Sequence, residues 1–137
     1  MRRVSAIAIG LTLLLMVLSG CFLVNFPNMV GTWKTSVTKI EGGSVTPIDL
    51  VVTVQEGADF NGTALVPFST YTGTVEGEIT RFGKIVMKVV LSSIKEGIEF
   101  TLNMSGTVSG ENMSGAASAL MNGYPVDSDY TWLSVRE

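Results

Sequence analysis

The chain of 137 residues contains no histidine, and its only cysteine is Cys21. Without histidine there is no Ser-His-Asp triad, no Cys-His pair, no histidine zinc site and none of the commonest general base near neutral pH. With a single cysteine there is neither an intramolecular disulfide nor a cysteine metal cluster. Charge is sparse at 15% of residues, and the twelve acidic residues outnumber the nine basic ones. Two of the basic residues, Arg2 and Arg3, stand at the very start. The remainder is therefore more acidic still, which argues against nucleic acid as a partner. Helical periodicity is also missing after residue 29, so no helix is predicted there.

Apolar residues are abundant, at 46%, and much of the excess lies in Ala6–Leu18. That run follows Met1-Arg2-Arg3 and is shorter than the roughly 20 apolar residues a spanning helix needs, so it reads as the apolar core of an export signal. It ends in Leu18-Ser19-Gly20-Cys21, which resembles the lipobox of bacterial lipoproteins. The resemblance implies cleavage before Cys21 and attachment of diacylglyceryl and palmitate-type acyl groups to that residue. One acyl chain anchors a protein marginally, whereas several hold it permanently at about 0.8 kcal/mol per buried methylene. The family's sorting pattern, with Phe22 where an aspartate would signal retention, implies the periplasmic face of the outer membrane in a two-membrane bacterium. In a single-membrane bacterium it implies the outer face of the cell membrane. The alternative is an ordinary signal peptide or signal anchor with an incidental cysteine.

The chain thus divides into a signal peptide at 1–20, a lipidated cysteine with a short tether at 21–29, and one domain at 30–137. Residues 22–29 reach at most about 28 Å fully extended, which keeps the domain close to the membrane. Phe22, Leu23, Val24 and Phe26 make this tether apolar, so it is expected to pack on the domain or enter the interface instead of behaving as a flexible linker.

From Val30 onward the sequence alternates with period two, is rich in Thr and Val, and breaks at glycines. In Lys84–Leu91, Ile85, Met87, Val89 and Leu91 share one face while Lys84 and Lys88 take the other. Ile98–Met104 alternates without a fault, and Ser92–Gly97 joins the two segments as a hairpin. Further strands are predicted at about 31–41, 47–55, 62–69, 71–80, 112–121 and 128–136, giving about eight. Thr72–Glu78 and Ser105–Glu111 echo one another, and glycines within strands mark bulges or sharply coiled positions.

The fold class is all-β. Consecutive hairpins without a crossover helix favour a small antiparallel up-and-down barrel, in which closure removes both edges; the alternative is a β-sandwich. Gly31-Thr32-Trp33, with Arg136 near the end of the last strand, resembles the signature of the calycins, the lipocalin and avidin group. The resemblance implies that Trp33 packs against Arg136 near the barrel floor as a cation–π pair. No ligand residue carries over from that family, because the polar residues that hold biotin in avidins have no match. A transmembrane barrel is disfavoured by Lys84, Lys88, Glu99 and Asn103, which interrupt any lipid-facing band.

Carboxylates are the remaining candidates for chemistry. Glu76 and Glu78 alternate with Val75 and Ile79 and are expected on a solvated outer face, and Asp127-Ser128-Asp129 reads as a turn. Neither pair has the oxygen count or loop spacing of a calcium site, so no metal, cofactor or catalytic residue is assigned. Sequons at Asn61, Asn103 and Asn112 are incidental behind a bacterial lipobox.

Gly115, Ala117 and Ala119 share one face of the strand at 113–121. If that face points inward it leaves room in the barrel. The walls would then be Leu50, Val52, Val54, Met87, Val89, Phe100, Leu102 and Met104, an apolar set suited to an acyl chain or another small hydrophobic ligand. Two functions from different classes follow: a lipid-anchored carrier of a small apolar ligand, or an interaction or inhibitor lipoprotein with a solid core. The second would work through loops such as Glu56–Gly62 or Met121–Asp129. An enzyme working with carboxylates alone is the weakest of the alternatives.

Overall fold

A computed structural model describes residues 25–137. The signal segment, Cys21 and Phe22–Val24 lie outside the described residues. Within them the chain forms strands β1 (Gly31–Lys39), β2 (Val45–Glu56), β3 (Asp59–Leu65), β4 (Thr72–Ile79), β5 (Lys84–Ser93), β6 (Ile98–Ser109), β7 (Asn112–Met121), β8 (Tyr124–Pro125) and β9 (Tyr130–Arg136), with no helix.

Every strand pairs antiparallel with its neighbours. The order β6-β5-β4-β3-β2-β1-β9-β7 is closed by the pairing of β6 with β7. Eight strands thus make a closed up-and-down barrel, consistent with a calycin-like fold, and the sandwich alternative falls away. The two-residue β8 hangs on β7 at Leu120 and Met121, just beyond the point where β9 departs. Its hairpin turns on Asn122 and Gly123, both at positive φ (51° and 83°), as a two-residue turn of the right twist requires.

The alternation in sequence becomes inside and outside. Val75 and Ile79 of β4, Ile85, Met87, Val89 and Leu91 of β5, and Leu102 and Met104 of β6 are buried, while Lys84, Lys88, Glu99 and Asn103 are exposed. This apolar-in, polar-out arrangement is the reverse of a lipid-embedded barrel. At the seam between first and last strands, Thr35 and Ser134 stand opposite one another. Their buried hydroxyls share a hydrogen bond of 2.6 Å, so neither polar group is left unpaired.

Strand β3 begins earlier than the sequence pattern predicts. Asp59 and Asn61, residue types that favour turns, instead lie in the strand on either side of Phe60, and the turn shrinks to Gly57 and Ala58. Phe60 provides the reason: its ring is fully buried in the core, and that burial outweighs the local preference of its neighbours.

Candidate functional site

Of the expected cavity-wall residues, Leu50, Val52, Met87, Val89, Leu102 and Met104 are buried, and Phe100 is half-buried. Val54 is a correction. The pairing of β2 with β3 slips between Val52 and Val54, so one extra residue in β2 shifts the period. Val54 therefore turns outward and is 45% exposed, while Gln55 takes the inward phase.

Of the small residues Gly115, Ala117 and Ala119, the glycine does not mark free space. These residues do face inward, but a Cβ on Gly115 would fall 1.8 Å from the Ser105 carbonyl oxygen, and one on Gly106, directly opposite, 1.9 Å from that of Ser114. The wall bends so sharply here that neighbouring backbone occupies the space a side chain would take. Trp132 stands opposite Gly115 on β9 and covers the crease. Its Nε1 donates to the carbonyls of Ala116 (3.0 Å) and Ser105 (3.2 Å). Gly115 thus marks a bend in the wall.

The barrel is stoppered at its floor, the end holding residue 25, the β2–β3, β4–β5 and β6–β7 turns, and the C-terminus. Met29 is wholly buried beneath Trp33, whose Nε1 donates to the Met29 carbonyl at 2.8 Å. The structure brings Trp33 and Arg136 together: the guanidinium carbon lies 4.6 Å from the indole centroid, a cation–π contact. Arg136 Nη1 donates to the Val30 carbonyl at 3.2 Å. Its Nε lies 2.8 Å from the Glu111 carboxylate, an ion pair whose angle misses that of a hydrogen bond.

Gly31 sits at φ 139°, and a Cβ there would lie 3.3 Å from Cδ of Arg136, so the glycine of the Gly-x-Trp triplet makes way for the arginine stem. Gln55, which sequence alternation missed because of the bulge, clamps the entering chain. Its side chain accepts from Met29 N (2.7 Å) and donates to the carbonyls of Pro27 (2.9 Å) and Gly57 (3.1 Å). Residues 26–29, expected as part of the tether, thereby belong to the floor.

The opposite end, the mouth, carries the connections at 40–44, 66–71, 94–97 and 122–129. Its opening is filled by Val66, Tyr71, Val126 and Tyr130, partly buried against the core, with Tyr71 packed on Phe100 at 5.7 Å between ring centroids. Neighbouring loops are tied together. Ile40 N donates to Asp129 O at 3.0 Å, and Glu99 N donates to Asn122 Oδ1 at 2.8 Å. Thr70 Oγ1 and Ser93 Oγ share a hydrogen bond of 2.5 Å, and the Tyr71 hydroxyl donates to Glu96. That carboxylate holds the Tyr71 phenol above its ordinary pKa, because the proton is part of the hydrogen bond.

Each mouth loop displays one large apolar side chain to solvent. Phe68 and Ile94 are fully exposed, Tyr124 is 77% exposed and Ile40 61%. Phe68 also has φ 59°, a left-handed conformation that a bulky residue rarely adopts. Alternation alone could not identify these residues, because they sit in loops where it stops.

Glu76 and Glu78 lie on the outer wall, within an open concavity of about 820 Å³. Glu76 stands in a cross-strand row with Asn61, Lys88, Asn103 and Ser118. Asp127 and Asp129 are in the mouth loop, far along the barrel from both. Among the described residues no cluster of three or more His, Cys, Asp or Glu can hold a metal ion. Comparison with protein-family models and with curated proteins matches the chain to none of them.

Proposed function

We propose that this chain is a lipid-anchored cell-envelope protein that works as a non-enzymic interaction module, with a solid barrel as its scaffold. The observation that carries the reading is the closure of the barrel at its crease and at both ends. Trp132 and the creased backbone take the space at Gly106 and Gly115, and both barrel ends are plugged by side chains. A barrel closed in this way acts through its surface, and the surface available to a partner is the loop end.

Anchoring rests on the leader and on Leu18-Ser19-Gly20-Cys21. The described chain enters at the floor, and the four residue-to-residue steps from Cys21 to Asn25 span at most about 14 Å, so an acylated Cys21 holds the floor near the bilayer. In a two-membrane bacterium the place is the periplasmic face of the outer membrane, and otherwise the outer face of the cell membrane.

Mass spectrometry of the N-terminal peptide tests the anchor: it is expected to begin at an acylated Cys21, and Cys21→Ser is expected to leave the membrane fraction. An unmodified, uncleaved N-terminus would overturn it. Native mass spectrometry of residues 22–137 purified without detergent tests the rest, with a bare protein mass expected. One observation favours the second reading, carriage of a small apolar ligand: Met87 and Met104 stand opposite each other inside the barrel, and two flexible thioethers can yield to a guest. A co-purifying lipid that leaves on denaturation would establish that reading in place of the first.

A further inference from the structure

We infer that the mouth is a preformed docking surface for a basic protein partner, approached from the side away from the membrane. The inference rests on the proposed interaction function and names the place and the partner.

Four loops from four different hairpin connections converge at this end, and each ends in an exposed apolar side chain: Ile40, Phe68, Ile94 and Tyr124. One exposed hydrophobe is ordinary on any protein surface, as Phe82 is at the floor, but four at one end, one to each loop, concentrate apolar area there. The loops are not slack. Hydrogen bonds tie the 40–44 loop to the 122–129 loop, the latter to the start of β6, and the 66–71 loop to the 94–97 loop. A surface fixed before binding loses little entropy on binding.

Phe68 adds an independent sign. Its backbone is held at positive φ while its ring makes no burial that offsets the strain. Strain of this kind persists where a side chain serves something outside the fold.

The occupant follows from charge and from the path of the chain. Glu41, Glu96, Glu99, Asp127 and Asp129 lie on or beside these loops, against Lys39 and Lys95. A second copy would bring the same acidic rim against itself, and like charges face to face are costly. The bilayer is excluded because strands of seven to twelve residues separate the mouth from the floor where the chain enters. At about 3.3 Å per residue along tilted strands this is on the order of 20–30 Å. Residues 21–24, reaching about 14 Å, cannot fold back over the mouth either. What fits is a protein with apolar pockets for the four tips and lysines or arginines around them.

The test is site-specific photo-crosslinking of the full chain in its own envelope. The photoreactive residue is placed one at a time at Ile94 and Tyr124 on the mouth, Thr63 on the wall and Phe82 on the floor. The expected result is one discrete adduct from positions 94 and 124 and none from 63 or 82, with the crosslinked partner segment rich in Lys or Arg. Its yield should fall roughly tenfold or more in Ile40→Ser/Phe68→Ser and in Glu99→Lys/Asp127→Lys, with thermal unfolding showing both variants folded.

An adduct that survives charge reversal, or a partner segment that is acidic, would overturn the partner class while leaving an interaction at the mouth. A self-adduct would replace the partner with a second copy, and adducts from 63 or 82 alone would overturn the mouth as the surface. No adduct at any position, together with lipid retained by the purified barrel, would overturn the interaction function itself.

Discussion

The two ends of this barrel are made from the same alternating strands but differ in how many large hydrophobic side chains they expose: one loop tip at the floor, Phe82, and four at the mouth. At the floor, Met29 and Trp33 are wholly buried, and Gln55 and Arg136 take up carbonyls of the entering chain. At the mouth, side chains of comparable size stand in water on loops whose backbones are nonetheless fixed. The floor buries apolar area and satisfies polar groups, which is what stabilises a fold. The mouth leaves apolar area unused, and that area is therefore available to something outside the domain. Stability and recognition are separated along the barrel axis.

The largest expected effect is at the floor. Trp33→Ala removes the ring under Arg136, empties the space above Met29 and leaves the Met29 carbonyl without its donor, so a loss of about 3–5 kcal/mol is expected in denaturant unfolding. Ile94→Ser or Tyr124→Ser at the mouth should change stability by no more than about 0.5 kcal/mol. Equal losses at the two ends would erase the distinction.

Next is Gln55→Ala, which strands the Met29 amide and the Pro27 carbonyl and is expected to cost about 1–3 kcal/mol. Because the clamp holds the entering chain, the same variant should be cut faster by protease within residues 25–29. Unchanged proteolysis with lowered stability would show that Gln55 supports the barrel and does not hold the tether.

The all-β class, the hairpin order and most strand positions were legible in the sequence, because period-two alternation in β4 to β7 is clean and glycines mark the turns. The Trp33–Arg136 contact was legible only through a three-residue resemblance. What alternation could not reveal has physical causes. One extra residue in β2 exchanges Val54 and Gln55 between outside and inside, and no pattern with a fixed period anticipates a bulge. Gly115 says correctly that no side chain fills its place, but a sequence does not record that backbone does. The mouth residues belong to loops, where neighbours in space come from four separate segments and leave no periodic trace.

A smaller effect, opposite in sign to those at the floor, is expected at Phe68. A bulky residue at φ 59° costs about 1–2 kcal/mol, while glycine there costs about 0.5–1 kcal/mol in chain entropy. Phe68→Gly should therefore raise stability by about 0.5–1 kcal/mol while weakening docking at the mouth, so that the two properties move in opposite directions. A loss of stability would mean that the ring packs on the domain in solution, and Phe68 would then cease to distinguish the mouth from the floor.

The smallest expected effect concerns the tie between two mouth loops. The Tyr71 hydroxyl donates to Glu96, and this raises the phenol's pKa in the folded state above its ordinary value near 10. A group whose folded pKa is raised contributes stability that is fully present below its unfolded pKa and is lost as the pH rises through the folded value. The stability difference between the protein and Tyr71→Phe should thus stay constant from about pH 7 to 9 and decline above about pH 10 as the phenol ionises against the carboxylate. Because the hydroxyl is at the surface, added salt should shrink the electrostatic part of that difference. The decline should be accompanied by loosening of the 66–71 and 94–97 loops with the Trp33 fluorescence unchanged, since no part of the tie reaches the floor. Simultaneous loss of both signals would mean that the ends are coupled through the wall, and the division between a packed end and a presenting end would have to be given up.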